Sequence, residues 1–246
     1  MPEVVLVTPS EFVQTLRHSS LPTIVTEGSD DYAVFRRVEE RLSELGVSLM
    51  PVGGKQTVLE IFKCRDQFRQ IRTAFIMDRD LWIFAAVPQE YADDAIIITD
   101  GYSIENDLYR DGDMEALLLA NERAAFFNDL KEIVKWYSFA VRRRLDGGDV
   151  ELDCHPRRVL NDAGQIDPSF ALQVGYTGPC TELCDDIREK YARLLRGKTL
   201  LSLLLKYLSH KDRAIKHSRK SLMEAASVRG GAYIKRIYDT LERIFY

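Results

Sequence analysis

Short β-branched runs that end at acids or glycines alternate with amphipathic stretches through the first hundred residues. Thr23-Ile-Val-Thr-Glu27-Gly28 is one such run, residues 47–52 a second, Thr73-Ala-Phe-Ile-Met-Asp78 a third, and the isoleucine-rich residues 95–99 a fourth. Between the first two, Ser29-Asp30-Asp31 offers a helix N-cap, and Val34, Phe35, Val38, Leu42 and Leu45 recur at helical spacing up to Gly46. Val58, Ile61, Phe62 and Phe68 mark another helix over residues 57–68. Strands alternating with helices of this length predict βαβ units in a mainly parallel sheet. Residues 4–7 suggest an additional edge strand.

After Asp100-Gly101 the pattern becomes helical. Residues 113–144 predict a long helix with one break, ended by Asp146-Gly-Gly-Asp149. Residues 150–179 read as loop with short strands. Four helices follow, over residues 181–195, 199–209, 218–226 and 232–244. The fold class expected is therefore α/β, a Rossmann-like parallel sheet flanked by helices, with a mostly helical C-terminal part. Residues 1–110 would form the core and 111–246 a helical insertion and basic C-terminal part packed on it, together one compact unit.

Carboxyl ends of parallel strands share one edge, where ligands bind. Glu27, Asp78 and Asp80 all fall at such ends. Three carboxylates gathered there repel one another unless a cation lies between them, so the pattern predicts a site for Mg²⁺ or Mn²⁺. In an extended chain, alternation would point Asp78 and Asp80 to one side. A glutamate in a strand-to-helix loop also suits a plain surface position. Gly28, which lacks a Cβ, favours close approach of a ligand. In Thr99-Asp100-Gly-Tyr-Ser-Ile-Glu105-Asn106, Glu105 is the preferred further ligand, although an acid near a helix start is also favoured by the dipole. Asp100-Gly101 reads as ordinary turn chemistry.

Composition is that of an ordinary globular protein, 46% hydrophobic and 29% charged, but its charge is uneven. Residues 186–246 hold 15 Lys and Arg against 6 Asp and Glu, net +9; the first 185 hold 19 against 32, net −13. An acidic half that holds metal beside a basic half that attracts phosphate suits an enzyme acting on a polyanion. Solvated helix faces would show the same asymmetry. No signal segment opens the chain and no apolar run is long enough to cross a membrane, so a cytosolic location is expected. The four cysteines do not read as a disulfide framework.

Glu27-Gly28-Ser-Asp-Asp, Gly53-Gly54-Lys55, Asp78-Arg-Asp80 and Thr99-Asp-Gly-Tyr-Ser-Ile-Glu105-Asn106, in this order, resemble the motifs of a family of TOPRIM-like proteins. Members accompany an ABC-type ATPase in bacterial anti-phage operons, and the family includes the nuclease effector of the PARIS system. The match covers residues 23–106 and is thinner beyond. What the resemblance implies is a TOPRIM fold and a Mg²⁺- or Mn²⁺-dependent endonuclease. The enzyme would cut RNA, tRNA first, and be held inactive by its ATPase partner. Glu27 would then serve as metal ligand or general acid/base, Asp78 and Asp80 as the metal pair, and Glu105 as a further ligand. Lys198 in Gly197-Lys198 would be the lysine that stabilises charge on the attacked phosphate.

Phosphodiester hydrolysis needs a nucleophilic water, charge stabilisation at phosphorus and help for the leaving oxygen, all of which carboxylate-held metal ions supply. Lys206, Lys211, Arg213, Lys216, Arg219 and Lys220 would position the nucleic acid strand, with Lys55 as a secondary phosphate contact. A DNA endonuclease of a defence system and a non-catalytic subunit that binds a partner protein are the alternatives. Homodimerisation through residues 113–144 is a further expectation.

Other patterns carry less. Arg196-Gly197-Lys198-Thr199 lacks the glycine a Walker A loop needs at position 192, which is Ala. Cys154-His155 and Cys180-x₃-Cys184 match no standard zinc spacing. Haloacid-dehalogenase-like phosphatases share Asp-x-Asp but require Thr or Val where Trp82 stands, and nucleotide-sugar glycosyltransferases need neither the Glu27 motif nor a basic tail. A topoisomerase or primase would need further domains. Trp82, Trp136, Phe126 and Phe127 read as core or interface residues.

Overall fold

A computed structural model describes residues 7–28 and 32–246. The Ser29-Asp30-Asp31 cap cluster and most of the proposed 4–7 strand lie outside the described residues; Val7 is exposed coil. The chain folds as two compact units, residues 1–78, 87–99 and 232–246 in the first and residues 79–86 and 100–231 in the second.

The first unit is built on four parallel strands, β1 (Thr23–Thr26), β2 (Ser48–Pro51), β3 (Thr73–Met77) and β4 (Ile96–Ile98), in the order β2-β1-β3-β4. Ile24, Val25, Phe75, Ile76, Met77 and Ile97 are buried, as expected where helices cover both faces of a parallel sheet. Helix α1 (Pro9–His18) precedes β1, and α2 (Tyr32–Arg41) and α3 (Lys55–Lys63) follow β1 and β2. The periodicity of 32–45 is divided between α2 and a 3₁₀ turn that Gly46 ends in the left-handed region at φ 62°. Likewise 57–68 is α3 followed by the 3₁₀ turn Arg65–Phe68, so each predicted helix tightens in its last turn. Helix α1 was not expected. Its start carries a capping box, with the Thr8 N–H donating to Glu11 Oε2 at 2.7 Å and Pro9 at the first position.

The second unit is helical: α4 (Ile104–Asp111), α5 (Ala120–Leu145), α6 (Pro156–Val159), α7 (Pro168–Val174), α8 (Thr181–Glu189), α9 (Tyr191–Leu194), α10 (Gly197–Leu208) and α11 (Arg219–Arg229). The predicted break in the long helix falls at Leu118-Leu119, between the 3₁₀ turn Met114–Leu117 and α5. Helix α5 is the core of this unit: Phe126, Ile133, Trp136, Tyr137 and Val141 are fully buried, so this apolar face is turned inward. Of the other aromatics, Phe127 is 38% exposed and Trp82 only half-buried. Residues 150–179, expected as loop with short strands, hold α6, α7 and a lone antiparallel bridge between Leu160 and Ile166. Proline at the first helical position explains both short helices, and Asp167 caps α7 by accepting from Ser169 N–H at 2.8 Å.

The chain then returns to the first unit as α12 (Ala232–Phe245), whose Ile234, Ile237, Leu241 and Phe245 are buried. Tyr238 Oη donates to the Val34 carbonyl at 3.1 Å and Arg236 to the Ile98 carbonyl at 2.7 Å. No helix among the described residues is long and apolar enough to cross a membrane.

Candidate functional site

In the first unit, β1 pairs with β2 on one side and β3 on the other. The connection out of β1 runs one way and the next runs back past it, which makes the β1/β3 boundary the topological switch point of the sheet. A crevice outside the carboxyl ends of such strands is where open α/β sheets bind ligands. Thr26 is in register with Ile76, so Glu27 and Asp78 leave neighbouring strands at nearly the same level. Glu27 Oε1 accepts the Asp78 N–H at 2.7 Å, which fixes the glutamate against the end of β3. Both residues are half-buried.

The turn after β2 reaches the same edge. Gly53 N–H donates to the Glu27 carbonyl at 2.8 Å, and Lys55 Nζ donates to the Asp78 carbonyl at 2.7 Å. Gly53 and Gly54 take φ 91° and 144°, values that L side chains rarely adopt, which explains the glycine pair at the entry to α3. Lys55, expected as a phosphate contact, thus ties the ends of β2 and β3 together through its ammonium.

This edge offers hard oxygen donors. Glu27 and Asp78 each bring a carboxylate to it, and the Asp78 main chain is bonded to Glu27 and Lys55. Mg²⁺ is ordinarily held by one or two carboxylates, with waters and substrate phosphates completing the shell, so the donor chemistry fits such an ion. Among the described residues, no group of three or more His, Cys, Asp and Glu is placed to hold a metal by protein ligands alone.

Asp80, Glu105 and Lys198 belong to the second unit. The backbone after Asp78 is not extended. Arg79 is helical at φ −70° and Asp80 is left-handed at φ 49°, opening the 3₁₀ turn Asp80–Ile83, so strand alternation does not set the direction of Asp80. A non-glycine residue there is uncommon, aspartate being among the better tolerated. The Asp80 N–H donates to the Tyr102 carbonyl at 2.7 Å.

Glu105 is the second residue of α4 and 3% exposed. Its Oε2 accepts from Ser103 Oγ at 2.6 Å, and the helix N-terminus favours its charge. Sequence reasoning missed what steadies the preceding turn. Asp107 accepts the N–H groups of Asp100 at 3.0 Å and Gly101 at 2.8 Å, and Arg110 bridges Asp107 at 2.6 Å and Asp100 at 2.7 Å. Burial pushes the Asp107 carboxyl above its ordinary range despite these partners. Burial also raises Asp100, but Arg110 and then Arg193 outweigh it and hold that carboxyl low. The signal was an acid in the first turn of a helix entered directly from a strand end.

The basic segment divides by use. Lys206 Nζ donates to Asp129 at 2.5 Å, where Tyr207 Oη also donates, at 2.7 Å. Arg213 is 12% exposed, pairs with Glu122 and donates to the Leu117 carbonyl at 2.7 Å. These two cations, expected on a strand-binding face, each pair with a carboxylate of α5 within the second unit. Lys211, Lys216 and Lys220 are exposed and Arg219 is half-buried. All four cysteines are free; burial raises the Cys154 thiol to about 11. No family model matches this sequence, and no curated protein matches it.

Proposed function

We propose that this chain is a metal-dependent phosphodiesterase of TOPRIM type, a nuclease that cuts RNA, with tRNA as the first substrate to test and an ABC-type ATPase as the partner that restrains it. The observation that carries the reading is the pairing of Glu27 and Asp78 at the carboxyl edge of β1 and β3, beside the switch point. The order of the four motifs supports the family; the substrate and the partner rest on that resemblance.

Glu27 and Asp78 would hold Mg²⁺ or Mn²⁺. Such an ion supplies activation of water and neutralisation of developing charge on a phosphoryl group. Glu27, pinned through Oε1 to the Asp78 N–H, keeps its other oxygen at a fixed position, so little reorganisation is needed there. Asp80 and Glu105 are assigned as further oxygen donors, and Lys198 as the ammonium that meets charge on the attacked phosphate, by the motif match. Exposed Lys211, Lys216 and Lys220 would draw a polyanion from a distance.

The test is incubation of the full chain with Mg²⁺ or Mn²⁺ against total tRNA and against plasmid DNA. Glu27→Gln keeps an oxygen acceptor for the Asp78 N–H and removes the charge. Calorimetry of Mn²⁺ binding accompanies both proteins. Metal-dependent cleavage lost in a folded Glu27→Gln, together with weaker Mn²⁺ binding, supports the reading, and the polymer cut decides RNA against DNA. Wild-type protein that binds Mn²⁺ and cuts neither polymer overturns a free-standing nuclease.

A further inference from the structure

The segment entering α10 is fastened to the start of α4 by side chains that the chemistry above leaves unused. Asn106 is fully buried and uses both ends of its amide. Its Nδ2 donates to the carbonyls of Ala192 and Leu195, each at 2.9 Å, while its Oδ1 accepts the Ser103 N–H at 3.0 Å. Tyr102 N–H adds a bond to the intervening Arg193 carbonyl at 2.9 Å. Three carbonyls at the end of α9 are thus taken up by residues flanking Glu105.

Gly197 closes the fastening. A Cβ there would lie 2.3 Å from Ser103 Oγ, 2.7 Å from Asn106 Oδ1 and 2.8 Å from Glu105 Cβ. Only glycine permits this approach, although the residue needs no left-handed conformation. The backbone of α10 therefore starts against Glu105, and the next residue is Lys198, half-buried in the first turn of α10.

We propose that Asn106 and Gly197 are positioning residues for Lys198. They hold the first turn of α10 at contact distance from Glu105 and so fix where the ammonium can reach. An aliphatic residue at 106 would leave two carbonyls and an N–H without partners, and any side chain at 197 would drive the helices apart. The catalytic meaning of this placement rests on the nuclease reading; the placement does not.

The experiment uses Asn106→Asp, which sets carboxylate oxygens against two carbonyls, and Gly197→Ala, in the full chain with folding checked by circular dichroism. Lysine acylation by a water-soluble reagent is followed residue by residue by mass spectrometry. Release of the clamp makes Lys198 label severalfold faster while Lys63 and Lys235, in the first unit, keep their rates. Unchanged Lys198 labelling in a folded variant overturns the proposal; should Gly197→Ala fail to fold, Asn106→Asp decides.

Where the wild type cuts nucleic acid, either variant lowers kcat by at least about tenfold, with KM held within about twofold. Added to Lys198→Ala, the same change costs nothing more, because it acts through that lysine. Losses that multiply in the double variant show a general structural role and overturn the positioning. A wild type without cleavage sinks the nuclease reading alone, and the labelling then decides the clamp by itself.

Discussion

Replacing Asp107 by alanine tests whether the turn that delivers Glu105 is fastened as described. The carboxylate accepts two main-chain N–H groups, from Asp100 and Gly101, and one arm of Arg110. Its side chain is completely buried, while the Arg110 side chain is 15% exposed and keeps Asp100 as a second partner. A hydrogen bond to a charged acceptor contributes about 1.5–3 kcal/mol, and part of the Asp107 gain is offset by the cost of burying its charge. The net loss expected for Asp107→Ala is about 3–5 kcal/mol, a large share of the roughly 5–15 kcal/mol that holds a folded protein together. Asp107→Asn keeps one acceptor and turns an amide donor toward an N–H, so it loses about 2 kcal/mol. Both tryptophans, Trp82 and Trp136, lie in the second unit, so urea unfolding followed by tryptophan fluorescence reports on it. A loss below about 1 kcal/mol for Asp107→Ala would refute the reasoning. The buried carboxylate would then cost as much to ionise as its three bonds return.

Three further outcomes follow from individual hydrogen bonds and charges. His155 accepts the Arg157 N–H through Nδ1 at 3.2 Å, and burial, then Arg157 and Arg219, lower its pKa below the ordinary 6.5. The folded state therefore binds fewer protons than the unfolded one. The stability this supplies is complete above pH 6.5 and is lost as pH falls toward the folded value. His155→Asn keeps a capping acceptor and should narrow the gap in urea midpoint between pH 7.5 and pH 5.5; an unaltered gap counts against the assignment. Among the cations, Lys211→Ala, Lys216→Ala and Lys220→Ala should each weaken nucleic-acid binding and cut the salt-dependence slope by about one. Lys206→Ala should instead lower stability with the slope intact, and a slope that falls for Lys206 as it does for Lys216 would show that the Asp129 pairing leaves Lys206 available to phosphate.

Much of the sheet was legible because β1 and β4 are wholly β-branched runs, and β3 begins and ends where the pattern did. Helices with a single apolar stripe, such as α12, were equally plain. Helix α1 and the pair α6 and α7 were missed although their caps stand in the sequence, since their apolar stripes are too short to outweigh the surrounding polar residues. The ends of β1 and β3 were legible as candidate ligand positions, and their juxtaposition needed only the strand order. The left-handed turn at Asp80 was not, because a local pattern of alternation carries no information about where a strand stops. The uses of Lys206 and Arg213 were hidden for a different reason: their partners Asp129 and Glu122 lie on α5, far away in sequence.

The return of α12 to the sheet also sets a schedule for synthesis. β4 leaves the ribosome at residue 98, yet the helix that buries Ile234, Ile237, Leu241 and Phe245 in the same unit emerges only after residue 231. The nascent sheet therefore waits, one apolar flank open and available to chaperones, while residues 100–231 of the second unit are translated. The carboxyl edge that carries Glu27 and Asp78 belongs to a unit that cannot close before then, so any activity seated there arrives with translation of the last helix and not with that of the residues that perform it.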